Sequence, residues 1–393
     1  MTSTPSQPAL RPESVEQYLH GDYDRYPVTA DEYRHYRQWG FLVVRGLVPA
    51  DDIAELDEHT QALMRGELPE QSDVEEFDPS KAYDSPEELE RAKQRGEYGT
   101  SRKLTKPPAD LSPDEKAQFF LRIHMLHRQV ALHEKCLLHP RLLDVVETLI
   151  GPDVSALQSM LFLKPPGKPG QGWHQDAFYI PTFPDTLVGA WIAIDDVDEY
   201  NGALWMAKGS ASEPVYPPCP GNDAHAAQPV YGFGDTQLSD VHYIRGASEP
   251  DDRNTLTPIA EKYDRVLLRM KRGDVAFFNG HVLHQSRDNV TTDRYRRAFV
   301  GHYANARSFT QWGHDEEGNA PRDPVTGGTN ASHILARGNT HLPFAKPRFG
   351  TPCAALLSAE QRRGSSEFIA RVMAEHGDGL MGCGIADPNV VDD

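Results

Sequence analysis

The sequence predicts a mainly β domain with flanking helices, folded as a sandwich or a barrel. Three observations support this fold class. After Val154 the chain consists of short β-rich runs separated by Gly and Pro. Before Gly151 helical patterns dominate. The chain also contains 31 Gly and 31 Pro residues among 393, which predicts many turns but falls short of a disordered or fibrous composition.

The N-terminal part begins with a polar arm over residues 1–30. Residues 41–44 then predict a short apolar strand, and Pro49 opens a helix. Four apolar residues of that helix fall on one stripe, namely Ile53, Leu56, Leu63 and Met64. The stripe predicts that the helix packs against the core along this side.

Three more helices are predicted before the β-rich part. Ser85 and Ser112 are each followed by Pro at N1 and Glu at N3, which is typical of a helix start. The third helix runs from Pro140 to Ile150 and stops at Gly151, a residue favoured at helix C-termini.

The β-rich runs are the candidate strands of the barrel or sandwich. They lie at 154–163, 172–180, 188–195, 203–207, 265–270, 274–279 and 297–304. Residues 209–264 interrupt them with a polar, Pro-rich stretch that is too long for an ordinary connection, so we expect a lid or a disordered insertion. The tail after Arg307 is rich in Gly, Pro and Asn, with one helix near Ser366–His376.

Charge and cysteine content narrow the function classes. The net charge of −18 argues against non-specific binding to nucleic acid or anionic lipid, since such binding needs clustered Lys and Arg. The four cysteines are far apart and form no C-x-x-C pair, which fits a reducing cytoplasm. No apolar run approaches the length of a membrane span, and the N-terminus lacks a secretory signal. We expect a cytoplasmic monomer or homodimer that acts on a small molecule.

The pattern His-x-Asp occurs three times, and only one copy has a context that favours a metal site. His20 lies in the polar arm and His376 follows the last predicted helix, so both are expected at the surface. His174-Gln175-Asp176 instead lies in an aromatic-rich predicted strand, where residues i and i+2 project from the same face. Both side chains would then point inward together.

A third ligand has to come from a distant strand. His284 follows the predicted strand at 274–279 and is the candidate, while His281 is a rival whose position places it on the opposite face. Two imidazoles and one carboxylate leave three coordination positions open, as in non-haem Fe(II) oxygenases. The absence of nearby thiolates disfavours a structural zinc site.

Activation of dioxygen at such an iron needs two further electrons, which a 2-oxo acid can supply. The site then needs a cation for the far carboxylate, and a guanidinium that binds it bidentately is the expected device. Arg296 and Arg297 lie on the next predicted strand, and only one of them can face inward. Ser286, two residues after His284, could add a hydroxyl on the same face.

Over residues 31–307 the chain resembles the phytanoyl-CoA dioxygenase family of Fe(II)/2-oxoglutarate oxygenases. The order and spacing of several short motifs carry this resemblance. They are Gly40–Gly46, Leu161–Gly167, His174–Asp176, Trp191, Asn201–Leu204, Gly209-Ser210, Gly273–Phe278, His284–Ser286, Asn289 and Arg296–Ala298. One departure is Ala211, where many members have a histidine after Gly-Ser.

The resemblance implies a double-stranded β-helix, which is a distorted jelly roll flanked by helices. It implies that His174, Asp176 and His284 are the iron ligands and that Arg296 anchors the distal carboxylate of 2-oxoglutarate. Three further residues would line the co-substrate pocket: Ser286, Trp191 and, as a weaker candidate, Gln158. An aspartate at 176 argues against halogenating relatives, in which a small residue replaces the carboxylate.

We therefore expect an Fe(II)/2-oxoglutarate-dependent dioxygenase that uses O2 to hydroxylate or otherwise oxidise an unactivated C–H bond, producing succinate and CO2. The oxygenase domain would cover 31–307, and 308–393 would pack on the core or cover the active site. The alternatives are a jelly-roll protein that binds a metal or ligand without turnover, and a Zn- or Mn-dependent hydrolase or isomerase. The negative charge leans away from a polyanionic acyl-CoA substrate.

Several other residues receive no functional role. The four helical histidines are expected to be packing or solvated residues: His124, His127, His133 and His139. Residues 70–76 are expected to form a solvated acidic face. His302, Arg307 and His314 follow the arginine strand and could reach the rim of the active site, but we do not assign them to it.

Overall fold

A computed structural model describes nine segments of the chain. They are residues 24–65, 74–76, 120–124, 126–128, 130–216, 251–252, 254–310, 333–340 and 346–347. Several predictions lie outside the described residues. They are the helix starts at Ser85 and Ser112, the helix near Ser366–His376, His20, His314, His376, most of the polar arm and the middle of the 209–264 insertion.

Four helices of seven or more residues are described. They are α1 (Ala30–Trp39), α2 (Ala50–Met64), α3 (Ala131–Leu137) and α4 (Pro140–Ile150). The Thr29 hydroxyl accepts from the Glu32 backbone N–H, and the Glu32 carboxylate accepts from the Thr29 backbone N–H, so α1 begins with a capping box. The predicted apolar stripe of α2 is buried in full.

Fifteen strands follow the chain in order through the described residues. They are β1 (Phe41–Val44), β2 (Val74–Glu76), β3 (Phe120–His124), β4 (Val154–Lys164), β5 (Gln171–His174), β6 (Thr182–Phe183), β7 (Val188–Ala193), β8 (Leu204–Ala207), β9 (Arg265–Leu267), β10 (Val275–Asn279), β11 (His284–Ser286), β12 (Arg296–Asn305), β13 (Phe309–Thr310), β14 (Ile334–Arg337) and β15 (Lys346–Pro347). Two short helices, α5 (Asp176–Tyr179) and α6 (Thr257–Ala260), lie between strands.

The strands form two main sheets whose order defines a jelly roll. The larger sheet has the order β1-β10-β7-β12-β4-β14-β15, with β3 and β2 continuing from β4, and the smaller sheet has the order β5-β11-β8-β9. Eight strands form the core of the two sheets, namely β4, β5 and β7 to β12. The chain alternates between the sheets along these strands, which pair antiparallel within each sheet. This is a double-stranded β-helix with flanking helices, so the predicted fold class is confirmed.

The larger sheet has an outer face covered by helices and an inner face turned toward the smaller sheet. Phe277, Phe299 and Tyr303 point outward and join one apolar cluster with the buried residues of α2, α3 and α4. Trp191 and Val300 point inward and join a second cluster with residues of the smaller sheet. Side chains alternate along each strand, so β12 contributes side chains to both faces of the sheet.

The predicted strand over 172–180 is wrong in its second half. Strand β5 ends at His174, and Asp176 begins the single turn of α5, in which the Ile180 N–H donates to the Asp176 carbonyl. The Ala177 N–H donates to the carbonyl of Gly280 in the turn before β11. These bonds take the place of a strand ladder beyond His174.

Two structural features were not predicted from the sequence. Strand β14, which follows Arg307, pairs antiparallel with the start of β4 in the larger sheet. At the end of the 209–264 insertion, Leu256 and Ile259 of the α6 region are buried against Trp173 of β5. The described ends of the insertion therefore belong to the folded core.

Candidate active site

Three side chains meet at one end of the space between the two sheets. His174 is the last residue of β5 and His284 is the first of β11, and the two residues are direct partners in the antiparallel register. Their ring centroids lie 4.1 Å apart. Asp176 starts α5, so the turn after β5, and not a continued strand, brings its carboxylate back to the two rings.

The ring nitrogens of both histidines are oriented by backbone carbonyls. Nδ1 of His174 donates to the Gly172 carbonyl at 2.7 Å, and Nδ1 of His284 donates to the Val282 carbonyl at 3.0 Å. A neutral imidazole that donates through Nδ1 leaves Nε2 with a free lone pair. These Nε2 atoms lie 3.8 and 3.6 Å from Oδ1 of Asp176, and the three ligand atoms lie within 4.8 Å of one another.

The charge states of His174 and Asp176 suit metal ligands. Burial lowers the pKa of His174 to about 3, so its ring is neutral near pH 7. Burial alone would raise the pKa of the Asp176 carboxyl, but its interaction with His284 and the hydrogen bond from His302 hold that pKa below its usual range. Two imidazoles and one carboxylate fit a divalent iron and leave positions open.

The two neighbouring arginines of β12 have opposite surroundings. Arg297 points to the outer face and pairs with Asp195 and Asp57, at 2.5 and 2.7 Å. Arg296 points inward, is 2% exposed, and packs its guanidinium over the rings of Phe162 and Trp191. Its Nε has no hydrogen-bond partner among the described residues. The inward guanidinium can therefore receive an anion, while the outward one is already neutralised.

The chain is similar to several known proteins in structure and in sequence. The solved structure of EctD from S. alaskensis is 18% identical, covers 76% of this chain and 84% of its own, and has a TM-score of 0.47. The solved structure of the non-haem alpha ketoglutarate dependent epimerase SnoN is 16% identical, covers 76% of this chain and 85% of its own, and has a TM-score of 0.45. The peroxisomal phytanoyl-CoA dioxygenase of Homo sapiens is 26% identical over 78% of this chain and 75% of its own length. The phytanoyl-CoA dioxygenase of Arabidopsis thaliana is 23% identical over 70% and 88%.

The model of the phytanoyl-CoA dioxygenase family matches residues 36–298, which is more than half of the chain. The chain belongs to the phytanoyl-CoA dioxygenase family. The resemblance found in the sequence is thus confirmed, and with it the enzyme class, an Fe(II)/2-oxoglutarate-dependent dioxygenase. Its cofactor is Fe(II), and its co-substrates are 2-oxoglutarate and O2.

Within this dioxygenase the remaining predicted pocket residues lie at two places. Ser286 is buried at the end of β11 and contacts Lys164, the strand partner of Arg296, and Trp191 packs against Arg296, so both are at the arginine end of the inner face. Gln158 is buried on β4 opposite His302, at the end where the metal-binding candidates lie. Of the three residues that the resemblance placed in the co-substrate pocket, Gln158 is thus the one on the side of the candidate metal ligands.

His302 contacts the candidate site, although the sequence analysis assigned it no role there. It lies on the inner face of β12, is 5% exposed, and its Nε2 donates to Oδ2 of Asp176 at 3.1 Å. The other oxygen of Asp176 is the one that faces His174 and His284. The alternation of β12 from Arg296 onward could have signalled an inward side chain at 302, but not its contact with a turn in another sheet.

Phe278 supports His284 from the larger sheet. Its ring centroid lies 4.8 Å from that of His284. The space for the phenyl ring exists because residue 189 on the neighbouring strand is Gly, since a Cβ there would lie 2.6 Å from the ring. A glycine at this position is needed for close packing, not for backbone conformation.

The other histidines do not join the three candidate ligands. His281 lies in the turn before β11, where its Nε2 pairs with Asp185 and its Nδ1 donates to the Glu213 carbonyl. Of the helical histidines, His127, His133 and His139 are buried, so the packing interpretation holds for them and the solvated one does not. The side chain of His124 lies outside the described residues, as do those of the predicted acidic face.

Among the described residues, no helix is long and apolar enough to cross a membrane.

Proposed function

We propose that this dioxygenase binds Fe(II) through His174, Asp176 and His284 and oxidises a C–H bond of a small-molecule metabolite, with release of succinate and CO2. One observation carries the proposal. Two free imidazole Nε2 atoms and one carboxylate oxygen converge at one end of the inner face, and an unpartnered guanidinium lies toward the other end. A 2-oxo acid with a distal carboxylate would bind the metal at the first end and the guanidinium at the second.

Bound at these ligands, Fe(II) and 2-oxoglutarate would supply the oxidising chemistry, in which oxidative decarboxylation provides two of the electrons that dioxygen requires. The residues of the chain hold the reactants. Arg296 would bind the distal carboxylate through its guanidinium, with Ser286 as a second donor. His302 would hold Oδ2 of Asp176, which leaves Oδ1 for the metal.

The walls between the two ends exclude water. Apolar residues line the inner face there, namely Met160, Phe162, Trp191, Leu204, Met206, Ala298 and Val300. An apolar wall cannot compete for the carboxylates of the co-substrate, so those groups would be bound only at the polar ends. Exclusion of water also protects a reactive centre from side reactions.

We propose a small metabolite that is not a CoA thioester as the substrate. The net charge of −18 supports this choice, since the several phosphate charges of CoA favour a basic surface. We also propose that residues 31–307 form the oxygenase domain, with 308–393 as an extension that packs on it. The pairing of β14 with β4 supports the second part.

Two measurements test this function. Anaerobic addition of Fe(II) and 2-oxoglutarate to the full chain should produce a weak visible charge-transfer band, and His174→Ala should abolish it. His139→Gln is the matched control, because His139 is buried beside Asp52, away from the site, and the band should survive. Succinate release, screened against a metabolite library that includes acyl-CoA esters, then identifies the substrate class. A band that survives His174→Ala would refute the proposed ligand set.

A further inference from the structure

The arginine end of the inner face contains a second buried cation. Lys164, the last residue of β4, is the register partner of Arg296, and the two side chains are 3% and 2% exposed. No ion pair among the described residues includes either of them, whereas the outward Arg297 has two carboxylates. Burying a charge without a partner is costly, so two such cations side by side indicate that an anion completes the site.

The contacts of Lys164 orient Ser286. Nζ of Lys164 donates to Oγ of Ser286 at 3.3 Å and to the backbone carbonyl of Arg287. Oγ of Ser286 also accepts from the backbone N–H of Gln171 at 3.1 Å. A hydroxyl has two acceptor lone pairs and one hydrogen. Both lone pairs are taken, and within the described part of the chain the hydrogen has no acceptor, so this hydroxyl can serve a ligand only as a donor.

We infer that Lys164 is a positioning residue for the distal carboxylate of 2-oxoglutarate, acting by orienting the Ser286 hydroxyl as a donor and by adding a positive charge beside Arg296. The inference rests on the proposed function, which places 2-oxoglutarate between the metal ligands and Arg296. It adds to that function the residue that selects a 2-oxo acid with a second carboxylate over one without it.

The electrostatics of the pair agree with the geometry. Burial, together with the charge of Arg296, lowers the pKa of Lys164 well below its ordinary value, and the carboxylate of Asp288 only partly opposes this shift. A carboxylate between the two cations would relieve both effects. A purely structural Lys164 would instead serve to bind the Arg287 carbonyl and close the end of β4. The two roles predict different results when the ammonium is removed.

The test compares Lys164→Met with Lys271→Met in the full chain. Lys271 is an exposed lysine paired with Asp196 and serves as the control. Calorimetry on Ni(II)-loaded protein measures the Kd of 2-oxoglutarate and of 2-oxopentanoate, which has a methyl group in place of the distal carboxylate. Lys164→Met should weaken 2-oxoglutarate about ten- to a hundred-fold, the range for a lost hydrogen bond to a charged group. Binding of 2-oxopentanoate should stay within about two-fold.

Two further variants separate positioning from structure. In a Ser286→Ala background, Lys164→Met should have a clearly smaller effect, since Lys164 acts partly through that hydroxyl. Lys164→Gln keeps a donor for the Arg287 carbonyl without the charge, so it should show intermediate selectivity and provides the test if Lys164→Met does not fold. The melting temperature of Lys164→Met should not fall, because the change removes a buried unpaired charge.

The outcomes distinguish this inference from the proposed function. Equal weakening of both 2-oxo acids, or full additivity with Ser286→Ala, would overturn the role of Lys164 and leave the proposed function in place. Failure of the wild-type chain to bind 2-oxoglutarate would overturn the proposed function itself. A lowered melting temperature with unchanged selectivity would assign Lys164 to the structural role.

Discussion

The two faces of the larger sheet bury charged and polar residues under different conditions. On the outer face Arg297 is neutralised by Asp195 and Asp57, and the Tyr303 hydroxyl donates to the Leu137 carbonyl. On the inner face Arg296 and Lys164 form no ion pair with a described residue, and the carboxylates of Asp195 and Asp288 act on them only from a longer distance. The protein neutralises the charge of Arg297 on the outer face with its own carboxylates, whereas the two cations of the inner face have no such ion pair among the described residues.

Buried histidine shows the same contrast. On the outer side Nε2 of His133 lies 3.4 Å from Nδ1 of His59, and His133 packs against Phe299. On the inner side His174, His284 and His302 surround a single carboxylate, that of Asp176. Burial and residue type are therefore shared by both regions. Convergence of free ring nitrogens with a carboxylate is what distinguishes a candidate metal site.

The largest effect should come from removing an inner imidazole. Loss of a residue that hydrogen-bonds a metal ligand lowers the metal affinity by up to about a hundred-fold. Since His284 is itself a candidate ligand, we expect His284→Ala to lower the affinity for Fe(II) by more than this. Succinate release should fall with it. Metal titration of the purified chain measures the first effect, and His133→Phe on the outer side should leave the affinity unchanged. Equal losses in both variants would contradict the contrast between the faces.

The neighbouring arginines Arg296 and Arg297 test the contrast between the inner and outer faces within a single strand. Arg296→Leu should raise the KM for 2-oxoglutarate about ten- to a hundred-fold, because a charge-assisted hydrogen bond is lost. Arg297→Leu should leave that KM unchanged and lower the free energy of unfolding by about 3 kcal/mol, because Asp195 loses its ion-pair partner, whereas Asp57 keeps Arg272. Steady-state kinetics and urea unfolding of both variants provide the measurements. The reverse pattern would show that the arginine assignments are exchanged.

His302 tests whether the inner face positions a ligand through a second residue. His302→Leu should lower the Fe(II) affinity about ten-fold, because Oδ2 of Asp176 loses its donor. His302→Gln can restore a donor and should recover part of the affinity. The absorption spectrum of the Co(II)-loaded protein should change in the Leu variant, since coordination by Asp176 is altered. Identical spectra and affinities in all three proteins would count against this role.

The smallest effect concerns a histidine of the outer side. Burial lowers the pKa of His133 well below its ordinary value, with small contributions from His59 and His127. The unfolded chain then binds a proton that the folded chain does not, so stability falls as the pH drops below about 6.5. The slope contributed by this group is at most about 1.4 kcal/mol per pH unit.

His133→Phe should flatten that slope without changing turnover. Urea unfolding at several pH values between 7.5 and 5 measures it. A slope that is unchanged in the variant would mean that other groups carry the acid sensitivity.

Much of this architecture could be predicted from local sequence signals. The boundaries of α4 follow from Pro140 and Gly151, and the buried stripe of α2 follows from its apolar spacing. The strand after His174 was predicted too long because aromatic residues favour strands as readily as they favour a buried turn. The Asp176 carboxylate nevertheless reaches the histidines, because α5 turns it back toward them.

By itself the sequence determined the fold class and the family and pointed to the three candidate iron ligands, since these depend on residue type and order along the chain. Only the tertiary structure decided which arginine faces inward. Side chains alternate between the two faces of a strand, and the register of β12 with β4 and β7 decides which of the two arginines lies on the inner face. The contacts of His302 with Asp176 and of Lys164 with Ser286 were also decided there. They join strands or turns far apart in sequence, and no local pattern encodes such a distance.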